Sequence, residues 1–404
     1  MPDHRRDTAM LDGFTALDLT GIEGQFAGRL LADLGMRVIK VEPPTGDAVR
    51  SVGPFKNDRV DRERSLRFAF LNGGKQSVTL DIESADGHGM LLDLAVRADV
   101  VLESFTPGYL DRLGLGYDQL RERNPGLVLA SITGFGREGP RSRYLAPDIV
   151  GVAMGGIMFI SGDPSLPPVS PPETQSFYYA SIFAAYGVVL ALFRRDATGL
   201  GQHIDLSIQE SVASMEHMIR EAAFDGVEIE RNGSQHKHTS PANVFPCTDG
   251  HVYLFILGAR DWERFLEIWS DHPEELDAEE LKAPSRRRAR AEMINPLVER
   301  FTSRFEKREL MTLLQGAGIP CLPVNSPLDF LSEDQVKVRD FLGEVESPAI
   351  GRYRAPRFPA LVDGQRPPVA GPPPRLGADT ASVCGNWLGL DERDLELLAA
   401  RGVV

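Results

Sequence analysis

The longest apolar run of the chain extends from Phe177 to Phe193 and stops abruptly at two arginines and an aspartate. Its length and composition predict a buried helix. The residues that follow, Thr198 to Ser207, contain two glycines separated by one residue and predict a tight turn into a short strand. We therefore expect a buried helix that leads directly into a strand.

Strands and helices alternate in the first 135 residues. Phe14 to Thr20 read as a buried strand, a helix with one apolar face follows a turn at Gly21 and Gly24, and Arg37 to Glu42 form the next strand. A strand, a helix and a second strand in this order form a right-handed parallel crossover, which indicates an α/β sheet. The further elements predicted here are a strand at 77–82, a helix at 84–97 and strands at 100–103 and 127–133. At least five strands are expected in this part.

The first strand-to-helix turn does not have the glycine spacing of a dinucleotide-binding protein. That fingerprint is GxGxxG, whereas residues 20–25 read TGIEGQ. Ordinary NAD binding is therefore disfavoured, and two glycines in one turn are also what any tight connection of this kind requires.

The pattern of predicted strands and helices changes beyond Gly226. A hairpin with a type I′ turn is predicted at Asp249-Gly250, followed by helices at 273–281 and 289–305, which together suggest a smaller α+β domain. Prolines between Pro348 and Pro374 predict an extended surface linker before a last helix, Asp391 to Ala400. We predict that residues 1–225 form the amino-terminal part of a large domain and residues 226–330 a small domain. Residues 331–404 would form a linker and a carboxyl-terminal part that returns to the large domain.

Composition narrows the possible partners. The 404 residues are 42% hydrophobic and 25% charged, a globular balance, and the net charge of −14 argues against a nucleic-acid partner. Three scattered cysteines without a CxxC pair fit neither a zinc site nor a disulfide framework, so we predict no metal and a reducing cytoplasm. Residues 1–8 are polar and lack a signal-peptide pattern, and we expect no membrane span.

Several motifs along nearly the whole chain together resemble the family III CoA-transferases, which include formyl-CoA transferases, carnitine CoA-transferases and α-methylacyl-CoA racemases. No single motif is specific, but their number and order are. The motifs are LADLG at 31–35, VIKVEPP at 38–44, GD at 46–47, LNGGK at 71–75, SVTLD at 77–81, ADVVLESF at 98–105, PG at 107–108, LDRLG at 110–114, NP at 124–125, SITGFG at 131–136, GP at 139–140, Asp148, TGLGQHIDLS at 198–207 and GIPC at 318–321.

This resemblance implies a fold and a ligand. The fold would be a large domain with a Rossmann-like parallel sheet built from both ends of the chain, a small domain from the middle, and two subunits interlocked as a homodimer. Coenzyme A would lie on the large domain near the loops after the first strands, with its thioester in the interdomain cleft. By motif position, the residues expected around CoA are Glu23, Lys75, Phe105, Arg112 and Phe135.

The side-chain types suit these assignments. Lys75 and Arg112 can meet phosphates, and Phe105 and Phe135 can cover an adenine or the pantetheine arm. A phenylalanine directly after a strand is just as often a core residue, so both interpretations of the two phenylalanines stay open.

The catalytic carboxylate of the family is missing at its usual place. In these transferases an aspartate, ten residues before the glycine that matches Gly187, attacks the acyl thioester and holds the acyl group as a mixed anhydride. That position is Phe177 in this chain. The racemase branch adds a histidine before the residue that matches Asp148, and here Pro147 precedes it.

Three interpretations remain. In the first, Glu173 replaces the aspartate and the reaction is still CoA transfer between carboxylic acids, the activity we favour. In the second, the protein processes an acyl-CoA without a covalent intermediate, as in racemisation, isomerisation, dehydration or lyase chemistry, with Asp148 or His203 as base. In the third, the chain is an inactive CoA-binding homologue or partner subunit. The acyl group and the acceptor cannot be read from the sequence.

Each of these candidates also has a structural explanation. Asp148 can cap the helix predicted from Ile149. Glu173 can be an exposed acidic residue of a loop. His203 can be a structural residue that forms hydrogen bonds beside Asp205 on its short strand.

Overall fold

The structure is a computed structural model that describes residues 9–215 and 217–404, so the polar residues 1–8 lie outside its description. The chain divides into two compact units. The first comprises residues 9–158, 170–227 and 335–404, and the second comprises 159–169 and 228–334. The second unit thus includes a short segment, 159–169, that the sequence did not assign to it.

Eleven strands and eighteen α-helices are assigned in the described residues. The strands are β1 Thr15–Leu19, β2 Arg37–Glu42, β3 Gln76–Thr79, β4 Val100–Glu103, β5 Val128–Thr133, β6 His203–Ser207, β7 Ala242–Cys247, β8 Gly250–Phe255, β9 Cys321–Pro323, β10 Leu342–Ser347 and β11 Gly351–Pro356. The helices are α1 Gln25–Asp33, α2 Leu66–Asn72, α3 Ala85–Arg97, α4 Tyr109–Arg112, α5 Tyr117–Arg123, α6 Asp148–Met154, α7 Ile157–Ile160, α8 Gln175–Thr198, α9 Ile208–Met215, α10 His217–Asp225, α11 Ala259–Ile268, α12 Pro284–Ala289, α13 Ala291–Thr302, α14 Lys307–Gly316, α15 Pro327–Ser332, α16 Asp334–Val338, α17 Thr380–Leu388 and α18 Glu392–Ala400.

The first unit is built on a six-stranded parallel sheet, which confirms the predicted α/β class. The strand order is β3-β2-β1-β4-β5-β6, and the five strands expected before residue 135 are all present. From β1 the chain proceeds outward to β2 and β3, then returns to the other side of β1 with β4. The direction of winding therefore reverses between β1 and β4.

Alternating apolar positions on the strands bury both faces of this sheet. Ala16 and Val38 face a cluster with α1 and α8, whereas their neighbours Leu17 and Ile39 face a cluster with α3, α5 and α17. Helices on both faces are the arrangement that buried parallel strands require.

The carboxyl-terminal segment returns to the first unit but adds no strand to the described sheet. The implied sheet built from both ends of the chain is therefore corrected: α17 packs on one face, with Val383 and Cys384 in the core. The same segment covers the edge strand β3, because the Ser77 amide donates to Asp379 Oδ2 (2.9 Å) and the Thr79 amide donates to Thr380 Oγ1 (3.0 Å).

Helix α8 contains the long apolar run, but only one face of it is buried. Alanines and serines, such as Ala180 and Ala184, face the core, while Ile182, Tyr186 and Phe193 are 49%, 62% and 78% exposed. By length and composition α8 is the one described helix that could span a membrane, and 50% of its most apolar window is buried. A core helix has the same length and composition, so this is weak evidence for a membrane.

Two glycines explain the turn after α8. Gly199 ends the helix in the left-handed region (φ 73°), and Gly201 passes so close to the Leu127 carbonyl that a side chain has no room. The chain can then enter β6 beside β5.

The second unit contains a three-stranded antiparallel sheet, β7-β8-β9, and its own core. Aromatic side chains of α11 and α13, including Trp262, Phe265 and Phe301, pack there. The predicted hairpin is present, but its loop is Thr248-Asp249 and Asp249 does not have the positive φ of a type I′ turn.

Two other predicted elements differ. The helix expected at 273–281 is a pair of 3-10 turns, Glu274–Asp277 and Glu279–Lys282, separated by the extended Ala278. The proline-rich segment is not wholly extended linker, because β10 and β11 form an antiparallel hairpin at its start.

Candidate functional site

A cavity of about 460 Å³ lies in the first unit, outside the carboxyl ends of β1, β2, β3 and β4. Its lining consists mainly of residues at or just after these strand ends: Leu19, Thr20, Gly21, Glu23, Val41, Glu42, Pro43, Asp47, Ala48, Leu80, Asp81, Ile82, Glu83, Ser104, Phe105 and Tyr109. The reversal between β1 and β4 makes this edge the switch point of the sheet, where open α/β folds bind their ligands.

Glu23 lies in the loop between β1 and α1, and its half-buried side chain lines the cavity. The Gly21 amide donates to Ser104 Oγ (2.8 Å), and the Ser104 hydroxyl in turn hydrogen-bonds the Glu23 carboxylate. Burial raises the pKa of Glu23 above its ordinary value of 4.5, and the negative charge of Asp47 acts in the same direction. The hydrogen bonds from Ser104 and from its own backbone oppose this rise.

An aromatic wall forms another side of the cavity. The rings of Phe105 and Tyr109 stack with centroids 4.6 Å apart, and the Tyr109 hydroxyl donates to Glu83 Oε1 (2.8 Å). The exposed Arg112 guanidinium lies 5.6 Å from the centre of the Tyr109 ring. Of the five residues predicted around CoA, Glu23 and Phe105 therefore line the cavity and Arg112 lies beside its wall.

Lys75 does not line the cavity. Its Nζ is fully buried and donates to Asp18 Oδ2 (2.6 Å), the Gln25 carbonyl (2.7 Å) and Asn72 Oδ1 (2.8 Å). Burial lowers the pKa of Lys75 to about 8, against the pull of Asp18. The expectation that Lys75 meets a phosphate has no support in this geometry, because its three hydrogens already have acceptors.

Two carboxylates of the cavity wall are neutralised by buried cations. Glu42, the last residue of β2, accepts from Arg50 Nε (2.6 Å) and Nη2 (2.8 Å). Lys40 Nζ lies 3.1 Å from Asp47 Oδ2 and donates to the Thr20 carbonyl at 2.7 Å. These pairs fix the loops after β1 and β2 around the cavity.

The position expected to carry the nucleophile is apolar and closed. Phe177 is 4% exposed and belongs to the core cluster between the sheet and α8. Asp148 Oδ1 accepts from the Ser176 amide (2.8 Å) and hydroxyl (2.7 Å), so its carboxylate caps the first turn of α8, while Pro147 precedes its own helix α6. Asp148 thus caps a different helix from the one the sequence suggested.

Glu173 lies just before α8 with a positive φ of 61°. Its side chain is 64% exposed and pairs with Arg67 Nη2 at 3.2 Å. An exposed ion pair of this kind typically contributes only about 0–1 kcal/mol to stability.

His203 and Phe135 also lie outside the cavity lining. His203 Nε2 is 2.9 Å from Ser131 Oγ, its ring stacks on Tyr117, and burial lowers its pKa. Phe135 contacts Tyr144 edge to face, with centroids 6.3 Å apart.

The sequence predictions missed Ser104 and Tyr109 in the cavity, along with Leu80 and Ile82. The signal was available, because side chains at the carboxyl ends of adjacent parallel strands converge on one edge. Within residues 9–215 and 217–404, no group of three or more histidine, cysteine, aspartate or glutamate side chains is arranged to hold a metal ion.

Known proteins resemble this chain over nearly its full length. The family model described as CoA-transferase family III matches residues 11–380. The succinyl-CoA:mesaconate CoA-transferase of Haloarcula marismortui is 33% identical over 399 residues, which cover 97% of this chain and 96% of that protein. The human succinyl-CoA:glutarate CoA-transferase is 33% identical over 401 residues, which cover 98% of this chain and 90% of that protein. A CAIB/BAIF family protein from Brucella suis has a TM-score of 0.84 at 28% identity, covering 93% and 99%.

Proposed function

Because this chain belongs to CoA-transferase family III, we propose that it transfers coenzyme A from an acyl-CoA to a free carboxylic acid. The observation that carries the proposal is the cavity at the switch point of the sheet, the place where this class of fold receives nucleotides. Coenzyme A ends in an adenine nucleotide, so its binding there is consistent with the architecture.

The lining of the cavity supports a nucleotide ligand. The stacked rings of Phe105 and Tyr109, with Leu80 and Ile82, offer apolar surface for the adenine or the pantetheine arm of coenzyme A. Asp81 and Glu83 can accept a hydrogen bond from the one free ribose hydroxyl of coenzyme A, as acidic residues do in related nucleotide folds. The exposed Arg112 can pair with phosphates outside the cavity.

The relatives suggest substrates to test. The names of the two transferases described above give succinyl-CoA as donor and mesaconate or glutarate as acceptor, both of them dicarboxylic acids. We therefore propose succinyl-CoA as donor and a dicarboxylate as acceptor for this chain.

The test is an exchange assay with the full-length protein, succinyl-CoA and isotopically labelled glutarate or mesaconate in deuterated water. Mass spectrometry of the thioesters reports label transfer, α-hydrogen exchange and alkene formation in the same sample. Label in a new thioester supports transfer. Exchange of the α-hydrogen alone would replace transfer with the non-covalent alternative, and CoA binding without turnover would indicate an inactive homologue.

No observation favours the non-covalent alternative. Its candidate bases, Asp148 and His203, are committed to Ser176 and Ser131 and lie outside the cavity lining.

A homodimer is part of the same proposal. The exposed apolar face of α8 borders a second, almost wholly apolar cavity of about 540 Å³, lined by Phe26, Phe70, Tyr186 and Phe341 among others. Such a surface is typical of a subunit interface, and a second copy of the chain is the occupant we propose. Sedimentation equilibrium should give twice the chain mass of 44.4 kDa. A cytoplasmic location stays a prediction.

A further inference from the structure

We propose that Glu23 is the carboxylate that attacks the acyl thioester in this protein, in place of the aspartate whose position is taken by Phe177. This inference rests on the proposed function and adds the identity of the nucleophile. Its basis is the placement of Glu23 in the cavity at the switch point of the sheet, on a loop that is hydrogen-bonded to α8 one turn beyond position 177.

The other candidates are poorly placed. Phe177 has no nucleophilic atom and is buried in the core. Glu173 is largely exposed and ion-paired with Arg67, and Asp148 accepts two hydrogen bonds from Ser176 at the start of α8. Neither Glu173 nor Asp148 lines the cavity.

Glu23 is both accessible from the cavity and held in position. A Cβ at position 21 would lie only 2.7 Å from Glu23 Oε2, so glycine at this position leaves room for the carboxylate. The Ser104 hydroxyl, which accepts from the Gly21 amide, directs its own proton to Glu23. The loop therefore orients the carboxylate through two hydrogen bonds in series.

Glu23 also differs from its acidic neighbours in the wall. Glu42 and Asp47 are paired with Arg50 and Lys40. Among the ion pairs found within the described residues, none involves Glu23. A half-buried carboxylate without a cation is more basic, and so more nucleophilic when ionised, than one held in an ion pair.

The loop that carries Glu23 is joined to α8 near the expected nucleophile position. Ser181 Oγ donates to the Glu23 carbonyl at 3.5 Å, and Ser181 is one helical turn beyond Phe177. Ile22, the preceding residue, packs against the core cluster that contains Phe177. The backbone of Glu23 is thus held beside α8, one helical turn from position 177, while its carboxylate faces the cavity.

The proposed reaction conserves atoms and charge. A Glu23 carboxylate oxygen bonds to the acyl carbon, the carbon–sulfur bond breaks, and the electron pair leaves with the CoA thiolate to give a mixed anhydride. The thiolate then attacks the Glu23 carbonyl carbon, which releases the first acid as a carboxylate and leaves a glutamyl–CoA thioester. The second acid reverses these two steps, which forms its own CoA thioester and restores the Glu23 carboxylate. No proton, oxidant or reductant is consumed.

The primary test is trapping on the unaltered protein. Full-length protein is incubated with succinyl-CoA, treated with hydroxylamine or borohydride, digested and sequenced by tandem mass spectrometry. We expect a hydroxamate or an alcohol at Glu23, since both reagents capture an activated carboxyl group. A modified residue at Glu173 or Asp148 instead would overturn the inference.

The matched variants are Glu23→Gln and Glu122→Gln. Glu23→Gln should lower the exchange rate at least about 10³-fold, as loss of a covalent nucleophile does in other enzymes. Glu122 is an exposed glutamate on α5, and its substitution should leave the rate unchanged. Circular dichroism shows whether the Glu23→Gln variant is folded, and isothermal titration calorimetry shows whether it still binds CoA.

The outcomes separate this inference from the proposed function. Exchange that survives in Glu23→Gln refutes the role of Glu23 but leaves CoA transfer intact. Trapping at Glu23 without exchange supports the nucleophile and refutes transfer. If neither exchange nor trapping occurs in the unaltered protein, both proposals are wrong.

Discussion

Gly21→Ala is the substitution that tests the geometry of the site most directly. The added Cβ would lie 2.7 Å from Glu23 Oε2, and ordinary contacts begin at 3.4 Å, so the carboxylate oxygen must move by about 0.7 Å. Misplacement of a catalytic group by about 1 Å can cost 10²-fold in rate, so we expect the exchange kcat to fall by about 10-fold to 10²-fold. The backbone of residue 21 is outside the positive-φ region, so alanine is compatible with the loop.

The stability of the Gly21→Ala variant should not fall with its kcat. The contact atom is the end of a flexible side chain, which can yield, and replacing glycine by alanine at a compatible position stabilises by about 0.4–1 kcal/mol. We therefore expect a lower kcat together with an unchanged or raised melting temperature. Most harmful substitutions lower both.

Gly89→Ala is the matched control. Gly89 lies within α3, and a Cβ there has nothing within 4 Å. This variant should be stabilised by about 0.5–1 kcal/mol with an unchanged kcat. Differential scanning fluorimetry and the label-exchange assay measure both quantities on the same preparations. A folded Gly21→Ala variant with the wild-type kcat would refute the reasoning, because the position of the Glu23 carboxylate would then not limit the reaction.

Three further predictions concern the wall of the cavity and the start of α8. Arg50→Met leaves the buried Glu42 carboxylate without its cation and should cost about 3–5 kcal/mol in urea unfolding; a loss below about 1 kcal/mol would contradict the pairing. Since burial raises the pKa of Glu23 and the ionised form attacks, kcat/KM should rise with pH through a value above 4.5, and an acid limb at or below 4.5 would count against it. Asp148→Ala removes the acceptor of the Ser176 amide and should lower stability by about 1 kcal/mol; a far larger effect on rate than on stability would instead indicate a base.

Much of the sheet could be predicted because its strands are short apolar runs separated by helices. Alternation alone placed β1, β2, β4 and the crossovers correctly. The orientation of α8 could not be predicted, because alanine and serine on the buried side and large apolar residues on the exposed side leave no amphipathic pattern. The hairpin of β10 and β11 was missed because frequent prolines predict an extended linker rather than paired strands.

The candidate site was only partly accessible from sequence. Glu23 and Phe105 were assigned from their motif positions, and in the structure both follow strand ends that meet at one edge of the sheet. Lys75 appeared equally suitable for a phosphate, but sequence does not show that Asp18 lies on a neighbouring strand with its carboxylate 2.6 Å from Nζ. Which buried charges pair with each other depends on tertiary contacts, so a local sequence pattern cannot predict the pairing.

The cover over β3 has a consequence for synthesis on the ribosome. Thr79 and its hydrogen-bond partner Thr380 are 301 positions apart in the chain. At a synthesis rate of roughly 5–20 residues per second, the edge strand β3 therefore stays uncovered for about 15–60 s. During that interval a nascent chain exposes an open strand that can pair with other polypeptides. We expect its yield in cells to depend on chaperones that bind the nascent chain early.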